Sequence, residues 1–251
     1  MEFVIVIPAR LESSRLPRKV LKDISGKSML LRVVERCKLA QCTNRIVLCT
    51  DSKEIINIAS DWGIEVLLTK SQFNSGSERI GSVVNKILAN KKLEESLILN
   101  VQGDQPFIDP KIIDKAAALF VEKKPEVITP IYRLQAQYIH DPNIVKVIIN
   151  SQSEAIYFSR SAIPHVRDTP KEKWHKKTSF WGHVGMYGFR GDVISNWGNI
   201  PYSVLADCEM IEHLNLIESG SKIYTFKVNN HIIGIDTYEQ LENARKQTRE
   251  K

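Results

Sequence analysis

Four cations and two hydroxyls lie within the twelve residues from Pro8 to Lys19 (PARLESSRLPRK). The cations are Arg10, Arg15, Arg18 and Lys19. Arginine and lysine neutralise charge that builds up on a leaving phosphate group, while hydroxyls and backbone N–H groups hold phosphate oxygens. The segment lacks the glycines of a Walker or dinucleotide loop. It predicts a triphosphate-binding loop of another kind, and an ordinary basic surface loop is the open alternative.

Two aspartates stand where a divalent cation that bridges phosphates would need ligands. Asp104 lies in NVQGDQP, directly after an apolar run, and Asp236 lies in GIDT, just ahead of the last predicted helix. Mg²⁺ commonly binds one or two carboxylates together with substrate phosphates. The pair is therefore a candidate magnesium site. From these residues alone, a turn aspartate at 104 and a helix N-cap at 236 remain the simpler interpretations.

A second candidate binding loop, NSGSER, covers residues 74–79 and runs into a predicted helix. Ser75 or Ser77 can act there as an ordinary helix N-cap. On these residues alone the N-cap interpretation is favoured over a binding role. The loop becomes a site candidate only together with the other motifs.

Short β-branched runs alternate with amphipathic stretches, which is typical of parallel strands joined by crossover helices. The predicted strands are 3–7, 45–50, 65–69, 96–101 and 222–227, and the predicted helices are 28–40, 53–62, 77–88, 206–218 and one from 237 onward. Asp104 then follows the C-terminal end of a strand, the edge where open parallel sheets bind ligands. From 126 to 190, short alternating strands separated by prolines predict an inserted antiparallel subdomain, about 126–200, within one domain of 251 residues.

The composition excludes several classes of protein. A chain with 43% hydrophobic and 25% charged residues can form a sizeable core. Its net charge of +6 comes from 35 basic residues interspersed with 29 acidic ones, without a common nucleic-acid signature, so we expect no nucleic-acid partner. The basic run at 171–177 (KEKWHKK) is interpreted as a solvated loop.

The apolar run at 3–7 is too short for a signal sequence or a membrane span, which predicts a cytoplasmic protein without a membrane partner. The four cysteines form no C-x-x-C pair, so neither a zinc site nor a disulfide framework is expected.

In order and spacing, these motifs resemble those of the 3-deoxy-manno-octulosonate (Kdo) cytidylyltransferases, also called CMP-Kdo synthetases. The resemblance covers nearly the whole chain. It rests on eight segments, which are IPARLESSRLPRK, TDS at 50–52, SGSER at 75–79, NVQGDQP at 100–106, DPNIVKVI at 141–148, YFSRSAIP at 157–164, HVGMYGFR at 183–190 and GIDTYEQLE at 234–242. It implies an α/β fold with a Rossmann-like nucleotidyltransferase core, a mostly parallel sheet, an inserted antiparallel dimerisation layer, a homodimer, and Mg²⁺ as cofactor.

The resemblance also assigns roles to individual residues. The catalytic set is Arg10, Arg15, Lys19, Asp104 and Asp236, of which Asp104 and Asp236 are the metal ligands. The nucleotide-binding set is Pro8, Ala9, Arg10, Ser14, Arg15, Lys19, Ser75, Gly76, Arg79, Gln102 and Asp104, with Ser75, Gly76 and Arg79 on the loop that recognises cytosine. The set that binds the acidic sugar is Arg167, His183, Tyr187, Glu212 and His213.

The implied reaction joins Kdo to the α-phosphate of CTP and releases pyrophosphate, for lipopolysaccharide or capsule synthesis. Three residues depart from the family pattern: Gln105 replaces a glutamate, His165 a tryptophan, and His213 a glutamine. The two histidines lie on the sugar side, so a related acid, such as 8-amino-Kdo or a nine-carbon ulosonic acid, remains an alternative substrate. Gln105 leaves open a second alternative, a nucleotide-binding regulator without catalysis.

Overall fold

The structure is a computed structural model that describes residues 1–229 and 234–249. Its strands are β1 (Glu2–Ala9), β2 (Asp23–Ile24), β3 (Lys27–Ser28), β4 (Ile46–Thr50), β5 (Glu65–Leu68), β6 (Ser96–Val101), β7 (Val127–Arg133), β8 (Lys146–Ile149), β9 (Ala155–Ser159), β10 (Trp181–His183), β11 (Met186–Arg190) and β12 (Ile223–Val228). Its α-helices are α1 (Met29–Cys37), α2 (Lys53–Ala59), α3 (Gly76–Gly81), α4 (Val84–Ile87), α5 (Pro110–Lys123), α6 (Gly191–Ser195), α7 (Val204–Glu209), α8 (Leu214–Glu218) and α9 (Tyr238–Arg249). Across these two ranges, none of the helices has the length and apolar character needed to cross a bilayer.

Within the described ranges, ten strands form one sheet in the order β5-β4-β1-β6-β11-β7-β10-β8-β9, with β12 paired to β7. Strands β5, β4, β1 and β6 run parallel to their neighbours in this group, as β12 does to β7. The pairs that involve β8, β9, β10 and β11 are antiparallel. The predicted α/β class, with a parallel core and antiparallel strands after residue 126, is confirmed.

Strands β10 and β11 join the two halves of this sheet. They lie end to end along β7, β10 opposite Ile131–Arg133 and β11 opposite Val127 and Ile128. The far edge of β10 pairs with β8, whereas the far edge of β11 pairs with β6 of the parallel core. The antiparallel strands therefore continue the parallel sheet through unbroken hydrogen bonding, and the subdomain boundaries at about 126–200 remain a prediction.

The core lies on both faces of the parallel strands. Successive side chains of β1 point to opposite faces, so Ile5 and Ile7 pack into one apolar cluster, while Val4 and Val6 pack into another. Helix α1 covers the first face, and α3 and α4 cover the second. This double coverage explains why the strand is a continuous apolar run in the sequence.

Two predicted helices, 77–88 and 206–218, are each divided in two. The first breaks after Gly81, where a Cβ atom would lie only 2.8 Å from the carbonyl oxygen of Ile194. The second breaks at Met210, whose φ of 52° ends α7 in the left-handed region. The predicted helix 28–40 is shorter than expected, since α1 is capped by the Ser28 hydroxyl and ends at Cys37.

Candidate active site

The candidate site lies at the carboxyl edge of the parallel strands. Because β1 and β6 are parallel hydrogen-bonded neighbours, the basic loop after β1 and the QGD turn after β6 meet there. They line an open cleft of about 470 Å³. The lining residues are Pro8, Ala9, Arg10, Ser13, Ser14, Arg15, Lys19, Val20, Phe73, Asn74, Ser75, Gly76, Arg79, Gln102, Gly103, Asp104, Arg160, Met210 and Asp236. All residues predicted to bind the nucleotide, and both predicted metal ligands, are among them.

Two carboxylates from distant parts of the chain converge on one ammonium group in this cleft. Lys19 Nζ lies 2.6 Å from Asp104 Oδ2 and 2.9 Å from Asp236 Oδ1. Arg15 approaches the same oxygen of Asp236, with its Nη2 at 3.0 Å. The three predicted segments, the basic loop, the QGD turn and the start of α9, are thus brought together by charge pairing.

The charges of this group support one another. Burial by itself would lower the pKa of the Lys19 ammonium, but Asp104 and Asp236 together outweigh burial and raise that pKa. Burial likewise works to raise the pKa of Asp236, and the charges of Lys19 and Arg15 outweigh it, so that pKa is lowered. Lys19 and Asp236 are therefore both ionised at neutral pH.

The same two carboxylates form a donor set for a divalent cation. Their oxygens already face a common cation, and both are hard oxygen ligands of the kind that Mg²⁺ prefers. In residues 1–229 and 234–249, no group of three or more His, Cys, Asp and Glu side chains is placed to hold a metal. The arrangement fits a magnesium ion that takes its other ligands from phosphates and water, and it does not fit a structural zinc site.

Two glycines allow the cleft walls to approach closely. A Cβ atom on Gly76 would lie 3.0 Å from Cγ of Pro8 and 3.2 Å from the amide group of Gln102. A Cβ atom on Gly103 would lie 3.3 Å from the carbonyl oxygen of Pro8. The Ser75 hydroxyl accepts the N–H of Glu78 at 3.1 Å, so the N-cap interpretation of this serine is correct while the residue also lines the cleft.

Arg79, which lines the cleft, makes its hydrogen bonds and its ion pair to other residues of the protein. Its side chain is 3% exposed, and its Nη2 lies 2.9 Å from Asp51 Oδ2. Its Nη1 donates to the Thr69 hydroxyl and, at 3.0 Å, to the carbonyl oxygen of Lys70. The guanidinium therefore ties the ends of β4 and β5 to α3, and a direct contact between Arg79 and a base remains a prediction.

His183, Tyr187 and His213 form an aromatic group beside the cleft. The Thr129 hydroxyl donates to the carbonyl oxygen of Met186 at 2.8 Å, so it accepts a hydrogen bond from His183 Nε2, which is 2.9 Å away. This network assigns the proton to Nε2 and leaves Nδ1 of His183 to accept the Tyr187 hydroxyl at 3.4 Å. The His213 ring stacks on Tyr187, and its buried Nε2 has no hydrogen-bond partner among the described residues.

Burial keeps this aromatic group uncharged. It lowers the pKa of His183 to about 3 and that of His213 well below the usual value. It also raises the pKa of Tyr187 well above the usual value, with a smaller contribution from the charge of Glu212. All three side chains are neutral at pH 7 and offer hydrogen bonds without charge.

Glu212 connects this aromatic group to the cleft. Its carboxylate accepts the Ser77 N–H at 3.3 Å and the Ser77 hydroxyl at 2.9 Å. Asn100 donates to the same hydroxyl at 3.2 Å, and Gln102 donates to Asn100 at 3.0 Å. Burial raises the pKa of Glu212 despite the hydrogen bonds from Ser75 and Ser77. The sugar-side and nucleotide-side predictions thus meet in one hydrogen-bonded chain.

Arg167 is the exception among the predicted sugar-binding residues. Its side chain is 90% exposed and pairs with the equally exposed Asp168 at 3.3 Å, because its turn projects into solvent. The structure does not bring it to the others. An arginine that the residue assignment missed, Arg160, lines the cleft instead, and its guanidinium donates to the carbonyl oxygens of Glu209 and Pro142. Its position within YFSRSAIP was the available signal.

Comparisons with known proteins agree with this geometry. The cytidylyltransferase family matches residues 4–223. The 3-deoxy-manno-octulosonate cytidylyltransferase of Chlorobium phaeobacteroides (strain BS1) is 39% identical over 254 residues, covering 100% of this chain and 98% of that protein. The enzyme of the same name from Chlorobaculum tepidum is 34% identical over 256 residues, covering 100% and 99%.

Solved structures give a consistent result. A CMP:2-keto-3-deoxy-manno-octonic acid synthetase complexed with CTP superposes with a TM-score of 0.90 and 33% identity, covering 100% of this chain and 99% of that one. A cytidylyltransferase from Leptospira borgpetersenii has a TM-score of 0.61 at 17% identity, covering 98% and 85%, and shows a likeness of fold alone.

Proposed function

This chain belongs to the cytidylyltransferase family, and on that premise we propose that it joins Kdo to the α-phosphate of CTP and releases pyrophosphate. The product, CMP-Kdo, would supply lipopolysaccharide or capsule synthesis. The observation that carries the proposal is the cleft in which Lys19 and Arg15 meet Asp104 and Asp236. Full-length similarity to a synthetase solved with CTP supports the same nucleotide.

The residues of the cleft supply binding and charge. The anomeric hydroxyl of the sugar attacks the α-phosphorus in line and gives its proton to water, while the bond from that phosphorus to the bridging oxygen breaks and this oxygen leaves with pyrophosphate. Such chemistry depends mainly on positioning and on stabilisation of charge. Arg10, Arg15 and Lys19 hold the triphosphate and neutralise the charge of the leaving pyrophosphate.

Mg²⁺ is the proposed cofactor, and Asp104 and Asp236 would hold it. When bound, it supplies Lewis-acid stabilisation of phosphate charge and makes a coordinated hydroxyl more acidic. The support is the convergence of both carboxylates on a single cation position. A protein general base is not required by this scheme, and neutral His183 serves better as a group that positions the sugar.

The sugar is proposed to bind between the cleft and the aromatic group. The neutral His213 has a ring nitrogen, Nε2, without a hydrogen-bond partner among the described residues, so this atom can bond to a sugar hydroxyl while Tyr187 stacks on the ring. Arg160 has no carboxylate partner among the ion pairs of the described residues, so its charge is available to attract the sugar's carboxylate. Attraction by Arg160 replaces the role first assigned to Arg167.

The oligomeric state and location belong to the same proposal. A homodimer is supported by exposed apolar side chains around β9 and α7, namely Ile156, Tyr202, Val204 and Leu205. Glu209 at the end of α7 bonds to Ser159 of β9, so the two elements adjoin. A cytoplasmic location remains a prediction from the sequence.

The test is a measurement of pyrophosphate release by the purified protein with Mg²⁺. CTP or UTP is combined with Kdo, with 8-amino-Kdo or with a nine-carbon ulosonic acid. We expect the highest kcat/KM for CTP with Kdo and a value for UTP lower by roughly 10²-fold, because a site matched to one polar edge leaves groups unpaired with another base.

Three results would change the proposal. Equal use of UTP would contradict the cytosine assignment. Faster turnover of another acid would make that acid the proposed substrate. A comparison of the same acids with His213→Gln would then show whether His213 determines which acid is preferred. The absence of pyrophosphate with every acid would favour a non-catalytic regulator.

A further inference from the structure

The ammonium group of Lys19 lies between the two carboxylates that are proposed to bind Mg²⁺. Its Nζ is 2.6 Å from Asp104 Oδ2 and 2.9 Å from Asp236 Oδ1, distances typical of charge-assisted hydrogen bonds. The Lys19 side chain is 14% exposed, so little water screens these contacts. A divalent cation bound by the same oxygens would have to compete with the ammonium group for its position.

We propose that Lys19 is a resident counter-cation: it neutralises Asp104 and Asp236 in the free protein, prevents tight binding of a bare divalent cation, and transfers to the triphosphate when nucleotide and metal enter together. The transfer to a triphosphate rests on the proposed function. The competition between the ammonium group and a metal ion does not rest on the proposed function, because it follows from the positions of Lys19, Asp104 and Asp236.

The position of Lys19 allows such a transfer. It begins the short 3-10 turn Lys19–Leu21 at the cleft wall, and its four-carbon stem carries three rotatable donors. Arg10 and Ser14 line the same cleft, so a triphosphate held there would place negative oxygens within reach of the ammonium group. The lysine can therefore exchange carboxylate partners for phosphate partners without rearranging the fold.

Arg15 is a weaker competitor for the metal position. It contacts Asp236 alone at 3.0 Å, and its side chain is 59% exposed. Water and salt screen an exposed pair much more than the enclosed contacts of Lys19. Removal of the Lys19 charge should accordingly expose the carboxylates to metal even while Arg15 is retained.

The proposal has a consequence for binding. If Lys19 occupies the metal position, metal and nucleotide favour each other's binding, because the nucleotide draws the ammonium group away from the carboxylates and the metal displaces it toward the phosphates. Without the ammonium, the carboxylates should bind a divalent cation tightly with no nucleotide present.

The experiment measures binding of Mn²⁺, used as a paramagnetic probe for Mg²⁺, by electron paramagnetic resonance on the whole chain without nucleotide or sugar. Wild type is compared with Lys19→Met and with the control Lys22→Met. Lys22 lies 5.9 Å from the Tyr238 ring and contacts neither carboxylate, yet its replacement removes the same charge. We expect Lys19→Met to bind Mn²⁺ at least about tenfold more tightly than wild type, and Lys22→Met to change affinity by less than about twofold.

Equal or weaker Mn²⁺ affinity in Lys19→Met would overturn the proposal, as would an equal gain in Lys22→Met. If circular dichroism shows that Lys19→Met is unfolded, Lys19→Gln is measured by the same criteria. Because no nucleotide or sugar is present, a failure of the proposed CTP chemistry leaves this result unaffected, and the two failures are distinguishable.

Discussion

The negative charges of Asp104 and Asp236 can be removed without a change of side-chain size, because asparagine has the same shape as aspartate but is neutral. Asp236 contacts Lys19 and Arg15, and Asp104 contacts Lys19. We expect Asp104→Asn and Asp236→Asn each to lower kcat/KM for CTP by about 10²-fold or more, because each removes one charged ligand of the proposed metal. Steady-state release of pyrophosphate at fixed Mg²⁺ measures this effect.

The matched control for these variants is Asp109→Asn. Asp109 caps α5 through the N–H of Lys111, and asparagine caps a helix equally well, so activity and stability should not change. Circular dichroism should show an intact fold in all three variants. An active-site variant that keeps most of its activity would show that its carboxylate is not a metal ligand.

Two histidines removed from water, His183 in part and His213 almost fully, make stability depend on pH. The pKa of His183 is lowered to about 3 in the folded protein, against about 6.5 when unfolded, and that of His213 is lowered in the same direction. Between these values the unfolded chain binds more protons at the histidines, so their contribution to the free energy of unfolding falls as pH decreases from about 6.5, while Glu212, whose pKa is raised, contributes in the opposite direction. The slope is up to about 1.4 kcal/mol per pH unit for each histidine.

Urea denaturation at pH 7, 6 and 5 tests this prediction. His183→Gln should reduce the slope by the contribution of one histidine, because the unfolded variant has one fewer group to protonate. His140→Gln, at an exposed position, is the control and should leave the slope as in wild type. Parallel slopes for wild type and His183→Gln would contradict the assignment of a buried neutral imidazole.

At the scale of elements, Arg79 joins three segments at the carboxyl edge of the sheet. Asp51 follows β4, Thr69 follows β5, and Arg79 lies in α3. We expect Asp51→Asn to lower the free energy of unfolding by about 3–5 kcal/mol, because it leaves the enclosed guanidinium without its carboxylate. It should also raise the KM for CTP, because the pair with Asp51 holds Arg79 and thereby the 74–79 segment that lines the cleft. Urea denaturation and steady-state kinetics measure the two effects.

Asp168→Asn is the matched control for that pair. Arg167 and Asp168 are 90% and 86% exposed, so their ion pair should contribute less than about 1 kcal/mol. If Asp51→Asn lowered the free energy of unfolding as little as Asp168→Asn, Arg79 would not be the residue that holds these elements together.

Elements that are buried along their whole length are predictable from the sequence. The run 96–101 was predicted as a buried strand and is β6, because every one of its residues is buried and its pattern depends on no distant partner. The helix breaks were not predictable. The break after Gly81 coincides with the close approach of the Ile194 carbonyl oxygen, and that at Met210 with a left-handed conformation that methionine rarely adopts.

In the candidate site, too, some features could be predicted from the sequence and others could not. Placement of Asp104 at the sheet edge followed from strand order, since ligands collect where parallel strands end. The contact of Lys19 with both carboxylates did not follow, because it depends on where α9 packs. Arg167 and Arg160 lie in one stretch between β9 and β10, and only the fold shows that Arg160 faces the cleft while Arg167 faces solvent.

At the scale of the whole molecule, one sheet carries both halves of the site. Tyr187 of β11 stands opposite Asn100 of β6, where the antiparallel strands join the parallel core. Asn100 continues through Ser77 to Glu212. A nucleotide at the end of β6 and a sugar beside β11 are therefore positioned by adjacent strands, whose hydrogen bonding limits their relative movement.

The outer end of that sheet carries the surface proposed for dimerisation. Strand β9 ends the sheet in the described part of the chain, and an edge strand is a common place for pairing with another chain. Ile156 on β9 is 53% exposed, and Val204 on α7 is 61% exposed. We expect light scattering with size-exclusion chromatography to give twice the 28.6 kDa of one chain for wild type, and one chain mass for Ile156→Asp combined with Val204→Asp, because two charges cannot be buried cheaply in an apolar interface.

Leu39→Asp is the control for that double variant. Leu39 is 55% exposed just after α1, and its replacement should leave the wild-type mass unchanged. A wild-type mass of one chain would contradict the homodimer, and a dimeric double variant would place the interface elsewhere.

Because Met210, at the end of α7, also lines the cleft, loss of the dimer should raise the KM of the sugar more than that of CTP. The ends of β9 and α7 support the cleft wall that holds Arg160, whereas the basic loop follows β1, a strand in the middle of the parallel core.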